Sequence, residues 1–227
     1  GLFFAGCNEN DESADGGVDA DGGDGGDSTE VENPHADEDW VTVSATTFMM
    51  GSPETDCGRD TNETRHEVTL TRDFEILVHE VSQQEFLRVM GFNPSDQTHC
   101  WTCPVESVTW HEAAAYCNTL STSEGLDHCF DCSGDGDTLR CEPSSNYPSP
   151  YQCPGYRLPT EAEFELAVRA GTTTATYAGD LEHTGGHCPV LEPIAWYPGN
   201  ALFESHPRGE KEPNAWGLYD MLGNVSE

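Results

Sequence analysis

The sequence predicts an α+β domain of low regular content, and three observations carry that prediction. Short β-branched and aromatic runs, each stopped by turn residues, occupy the stretch from Trp40 to Val78. Three capping boxes then open helices at Ser82, Thr109 and Thr160. Beyond Gly171, Pro, Gly and Asn recur too often for continuous elements, so long ordered loops are expected there.

The first strands are Trp40-Val41-Thr42-Val43 and Thr47-Phe48-Met49-Met50, the second ended by Gly51. Val68-Thr69-Leu70-Thr71 and Phe74-Glu75-Ile76-Leu77-Val78 follow, separated by a bend at Arg72-Asp73. In each capping box a hydroxyl accepts from the third helical N–H, while a Glu at that position accepts from the cap. Ser82/Glu85 leads Phe86, Val89 and Met90 and stops at Gly91; Thr109/Glu112 leads Ala113, Tyr116, Cys117 and Leu120. Thr160/Glu163 leads Phe164, Ala167 and Val168 and ends at Gly171. These spacings mark core faces. His111 beside Glu112 lacks a second His one helical turn on, so it is no metalloprotease pair.

The chain opens on Leu2-Phe3-Phe4-Ala5-Gly6-Cys7, an apolar run, a small pair and a Cys. That order is expected of the end of a bacterial lipoprotein signal, residues 1–7, with Cys7 lipidated and the segment before it removed. Residues 8–39 hold thirteen acidic residues and no Lys or Arg, with Gly pairs between aspartates from Asp21 to Asp27. Such a stretch buries too little apolar surface to offset its chain entropy, so a disordered acidic linker is expected. The folded domain is expected over residues 40–227. The formal net charge of −33 excludes a phosphate-tracking nucleic-acid binder and leaves a lipid anchor as the one membrane contact. It also suits a protein that collects divalent cations.

Apart from Cys7 there are nine cysteines: Cys57, Cys100, Cys103, Cys117, Cys129, Cys132, Cys141, Cys153 and Cys188. Behind an export signal that density predicts disulfides in an oxidising compartment. The alternative is a four-cysteine zinc site from the pairs Cys100-x2-Cys103 and Cys129-x2-Cys132. Cys141 and Cys153 flank the same Gly/Ser/Pro-rich insert, which is expected to be a loop held by covalent staples, and would be left over by such a site. Two bridges are expected among Cys129, Cys132, Cys141 and Cys153, their connectivity open, with Cys117 a buried free thiol.

Several motifs in order resemble the formylglycine-generating enzyme family, the sulfatase-modifying factors. They run Phe48-Met49-Met50-Gly51-Ser52, Arg65-His66-Glu67-Val68-Thr69-Leu70, Glu80-Val81-Ser82-Gln83 and Pro104-Val105-Glu106-Ser107-Val108-Thr109-Trp110. Tyr156-Arg157-Leu158-Pro159-Thr160-Glu161-Ala162-Glu163 and Gly217-Leu218-Tyr219-Asp220-Met221-Leu222-Gly223-Asn224-Val225 complete the series. The resemblance implies a fold related to C-type lectins, with its C-terminal part lying past Glu227. It implies structural calcium at Asp220, Met221, Gly223 and Val225, and at a second site beginning with Asn200 and Ala201. A shortened loop between Leu202 and Ser205 is where this second site departs from the family.

By the same resemblance, catalytic members oxidise a sulfatase cysteine to formylglycine with molecular oxygen, holding Cu(I) on two cysteines, soft ligands that select that ion. That pair would fall after Glu227, and copper is implied only where it is present; no residue in hand is assigned a catalytic role. Ser226 replaces the family's usual Trp, and Phe164 its common Trp. Two functions are therefore expected of an exported lipoprotein of the cell envelope, in the outer membrane or periplasm. One is an oxygen-dependent oxidoreductase acting on a protein substrate. The other is a non-catalytic, calcium-braced, lectin-like module that binds a surface ligand.

Overall fold

The computed structural model describes residues 5–6, 31–36, 40–54, 59, 61–181 and 188–226. The expectations placed on Cys7 and Cys57, and on the acidic run at 8–30 and 37–39, fall outside the described residues. Strand β1 (Ala5–Gly6) and strand β2 (Trp40–Val43) flank β5 (Phe74–Leu77), both antiparallel to it. Strand β3 (Thr47–Met50) pairs antiparallel with β4 (His66–Thr69), register Phe48↔Val68. Helices α1 (Gln83–Met90), α2 (Trp110–Ser123) and α3 (Glu161–Arg169) start at the three predicted caps. Each box is reciprocal: Ser82, Thr109 and Thr160 accept from the N3 N–H, and Glu85, Glu112 and Glu163 accept from the cap N–H.

Apolar spacing builds two cores. One joins α1 and α2 through Phe86, Val89, Tyr116 and Leu120, with the Phe86 and Tyr116 rings stacked 5.3 Å apart. The other sets Phe74 and Ile76 of β5 against Leu166 and Ala167 of α3, and against Leu218 and Met221. From Gly171 to Ser226 the described chain has neither helix nor strand, as the Pro, Gly and Asn content predicts.

Three expectations need correction. The domain does not begin at Trp40: residues 31–36 lie on it, with His35 fully buried and its Nε2 2.8 Å from the Tyr116 hydroxyl. Asn33 donates to Glu124 and to the Tyr156 hydroxyl, so polar partners hold a segment whose own composition is not that of a core. Ala5–Gly6, expected to lie apart from the domain, pairs with β5 in the register Ala5↔Ile76 and Gly6↔Glu75. An open strand edge offers unpaired N–H and C=O groups that an extended segment can satisfy. Third, the Cys-rich insert is not wholly loop. It contains a hairpin of β6 (Phe130–Ser133) and β7 (Arg140–Pro143). Its turn needs Gly134 at φ 79°, where a Cβ would sit 2.5 Å from the Thr138 carbonyl oxygen.

Candidate functional site

Two clefts of about 410 and 530 Å³ meet along a shared wall of Glu106, Ser107 and Ser226. The first lies between the approach to α2 and the approach to α3, lined by Val105, Val108, Trp110, Leu158 and Phe164. The second is roofed by the C-terminal loops, through Trp196, Tyr197, Pro198, Phe203 and Asn224. The wall is fixed locally: Glu106 accepts from the Gln97 N–H at 2.9 Å and from the Ser107 hydroxyl at 2.6 Å.

Charged groups lock the frame beneath it. Arg157 forms a bidentate pair with Glu163, both contacts 2.7 Å, the two side chains 1% and 0% exposed. Glu163 also closes the α3 box, so one carboxylate serves the helix cap and the tertiary contact together. Arg208 does the same for Glu85 of α1 at 2.7 and 2.6 Å, and so ties the C-terminal loops to that helix. Neither arginine partnership was read from the sequence. The Arg157-to-Glu163 spacing lies within one motif and could have suggested the first; nothing local points from Arg208 to Glu85.

The C-terminal loops are held by amide side chains in place of backbone pairing. Asn224 accepts from the His206 N–H at 2.9 Å and donates to the His206 carbonyl at 3.0 Å, while its own N–H reaches the Trp196 carbonyl. Trp196 stacks on His206 with centroids 3.7 Å apart, and Lys211 Nζ lies 3.8 Å from its ring. Asn214 donates to the Ala167 and Val168 carbonyls at the end of α3 and accepts from the Trp216 and Leu218 N–H groups. At the rim, Leu202 and Phe203 adopt left-handed φ values of 55° and 62° yet are 80% and 87% exposed. A left-handed backbone costs such residues roughly 1–2 kcal/mol each. No burial in this domain offsets that cost.

The residues predicted to hold calcium behave differently from one another. Asp220 is buried, with φ 52°; its Oδ2 accepts from the Gly209 N–H at 2.6 Å, and its Oδ1 has no hydrogen-bond partner. Burial first, and then Glu210, push its carboxyl above the usual Asp value, against the Gly209 hydrogen bond. Nearby Tyr177 is pushed up to about 12 by burial and by the Asp220 and Glu212 charges. A buried carboxylate oxygen without a donor suits a hard cation. Met221 is buried beside it; Gly223 lies so close to Trp196 that a Cβ would stand 2.2 Å from that carbonyl oxygen; Val225 lines the second cleft. Asn200 and Ala201 fit less well, because their oxygens are already engaged. Asn200 Oδ1 accepts from the Tyr197 N–H at 2.9 Å, and the Ala201 carbonyl accepts from the Glu204 N–H at 3.0 Å. Among the described residues no three His, Cys, Asp or Glu side chains converge as a metal site.

Among the described residues six cysteines form three bridges: Cys100–Cys103, Cys129–Cys153 and Cys132–Cys141. The zinc alternative is thereby displaced, since both CxxC pairs are consumed and Cys129 and Cys132 take different partners. Cys117 is a buried free thiol whose pKa burial raises well above the ordinary value, which makes it unreactive; Cys188 is free and half-buried.

Residues 27–227 match the sulfatase-modifying factor enzyme 1-like domain. The chain is 32% identical over 186 residues to the chaperone protein LppX of Paenibacillus barcinonensis, covering 70% of this chain and 62% of that protein. It is 45% identical over 82 residues to the formylglycine-generating enzyme of Mycobacterium tuberculosis, covering 32% of this chain and 26% of that enzyme. Thus it spans under two thirds of the curated relatives it matches. Among solved structures, Treponema denticola variable protein 1 superposes with a TM-score of 0.66 at 28% identity, over 83% of this chain and 70% of that one. PvdO from Pseudomonas aeruginosa does so with 0.53 at 23%, over 80% and 66%, a likeness of fold. Ordered motifs, the α+β shell and a family match over residues 27–227 agree: this chain belongs to the sulfatase-modifying factor, or formylglycine-generating enzyme, family.

Proposed function

We propose that this domain is a binding module of the cell envelope that holds a segment of another protein along the two joined clefts. The observation that carries this reading is the pair Leu202–Phe203, large, apolar, left-handed and outward at the rim of the second cleft. Strain of this kind persists where the surroundings over-determine it, and it collects at ligand-binding positions. Trp110, about half exposed on the first cleft, supplies a second aromatic contact. The similarity to a protein named as a chaperone supports a protein ligand. Three disulfides support the envelope location, where the redox poise preserves them. No helix among the described residues is long and apolar enough to cross a membrane.

Calcium belongs to the same proposal, as a brace and not as a reactant. Asp220 would hold it through Oδ1, with main-chain oxygens of the Met221–Val225 turn as the other donors; the ion would add to the positive charge of Arg208 and Lys211, which offsets the burial only in part. The second reading, an oxygen-dependent oxidase of protein cysteines, is favoured by the identity to formylglycine-generating enzymes. One experiment separates them. A peptide bearing a sulfatase-type cysteine is incubated with the full-length gene product, Cu(I) and oxygen, and its mass is followed. Binding with an unchanged mass is the expected result; conversion of the cysteine to an aldehyde would establish the oxidase.

A further inference from the structure

We infer that the Cys100–Cys103 bridge is an exchangeable disulfide that oxidises paired thiols of a protein client. The three bridges are not equivalent. Cys129–Cys153 is sealed, both residues within 1% of full burial. Cys132–Cys141 has an exposed Cys132, yet it lies in a hairpin where Asp131, Asp135, Asp137 and Glu142 outnumber the single cation Arg140, and that net negative charge repels an incoming thiolate. Cys100–Cys103 combines a half-buried Cys100 with a fully buried Cys103, and no acidic residue lies between Gln97 and Val105.

Its setting suits exchange. The loop lies on the N-terminal end of α1, where the Gln83 and Gln84 N–H groups donate to the Cys103 and Trp101 carbonyls at 3.0 and 3.1 Å. The positive end of a helix favours the negative charge of a thiolate. The one carboxylate in the first turn, Glu85, is neutralised by Arg208. Thr102 places its hydroxyl 3.8 Å from Cys100 Sγ. Between the two cysteines Trp101 is 50% exposed. The strained rim is laced alongside, since the Arg208 N–H reaches the Thr102 carbonyl and Gln97 Nε2 donates to the Phe203 carbonyl at 3.1 Å. Trp101, Leu202 and Phe203 thus offer apolar contact for an unfolded chain next to a reachable sulfur.

A client thiolate attacks Cys100 Sγ. The Cys100–Cys103 bond breaks and its electron pair passes to Cys103 Sγ, which is left as a thiolate in the loop that lies on the N-terminal end of α1. A second client thiolate then attacks the client sulfur of the mixed disulfide. Cys100 leaves as a thiolate beside the Thr102 hydroxyl, and the client departs as a disulfide. The client loses two electrons and this bridge gains them, so one turnover needs no other reagent. A small-molecule disulfide such as oxidised glutathione restores the bridge.

This inference stands apart from calcium and from the oxidase reading, because neither the cation nor oxygen takes part. In the full chain, reduced glutathione is added in steps, free thiols are alkylated, and each bridge is mapped by mass spectrometry. Cys100–Cys103 should open at least about ten-fold faster than Cys129–Cys153 and Cys132–Cys141. A reduced peptide carrying two cysteines should be converted stoichiometrically to its cyclic disulfide, and the Cys100→Ser/Cys103→Ser double variant should lose that conversion. A peptide left reduced by the unaltered protein would overturn the assignment. So would another bridge opening first, or equal conversion by the double variant. The bridge mapping decides the matter even where the double variant fails to fold.

Discussion

The insert closed by Cys129–Cys153 and the loops from Cys188 to Ser226 are both poor in regular structure, and they are fixed by different means. The insert is held covalently: two bridges close it on itself, and its hairpin is fastened to α2 by the Asn118 side chain, which bonds both backbone groups of Phe130. The C-terminal loops contain no bridge among the described residues; Asn214 and Asn224 bind main-chain groups distant in the chain, and Asn200 those of its own turn. A covalent staple acts largely on the unfolded chain, whereas an amide clamp acts only when its partners are already in place. The stapled region should therefore tolerate local change, and the clamped region, which roofs the second cleft, should not.

The largest effect should come from the buried ion pair that fixes α3, the helix to which Asn214 clamps the C-terminal loops. Arg157→Ala strips a buried carboxylate of its partner and should cost about 3–5 kcal/mol in urea unfolding. Asn214→Ala leaves the α3 carbonyls and two N–H groups unpaired in the second core, and a loss of about 3 kcal/mol is expected by the same measurement. The Cys129→Ser/Cys153→Ser pair should cost about 2–4 kcal/mol. Unlike Asn214→Ala, it should leave hydrogen exchange in residues 196–224 unchanged. Were the disulfide variant to loosen those loops and Asn214→Ala to spare them, the contrast between the regions would be reversed.

A smaller effect concerns Asp220. Its folded pKa is raised, so in chelator its contribution to stability is fully present below the ordinary Asp value of 3.8 and is lost as pH rises through the folded value. Calcium should oppose that loss and raise the melting temperature at neutral pH, and Asp220→Asn should abolish the pH slope measured in chelator. An identical melt with calcium and with chelator would remove the cation from the account. Smallest is Thr109→Ala, where the exposed α2 box should cost about 0.5–2 kcal/mol.

What the sequence disclosed follows from the range of each interaction. Ser82, Thr109 and Thr160 were readable because a capping box closes within three residues. The loop character beyond Gly171 was readable from composition. His35 was missed because its partner, Tyr116, lies 81 residues away and nothing near His35 resembles a core. The β6–β7 hairpin was missed because its strands are exposed and carry Asp, Ser, Arg and Glu, so no apolar alternation marks them. Connectivity of the bridges was beyond sequence, since Cys132 faces Cys141 only once the hairpin register is set. Leu202 and Phe203 read as ordinary apolar residues; their exposure and left-handed backbone emerge only in the fold.

The binding role of that strained rim is tested most directly by backbone hydrogen exchange in residues 196–208, with and without a reduced, alkylated unfolded protein as probe. Alkylation removes thiol exchange, so apolar contact alone is measured. The probe should slow exchange in that segment, and Phe203→Ser should weaken binding about ten-fold or more, the loss of one buried aromatic contact. Unchanged exchange in 196–208 at saturating probe, or equal binding by Phe203→Ser, would contradict the account.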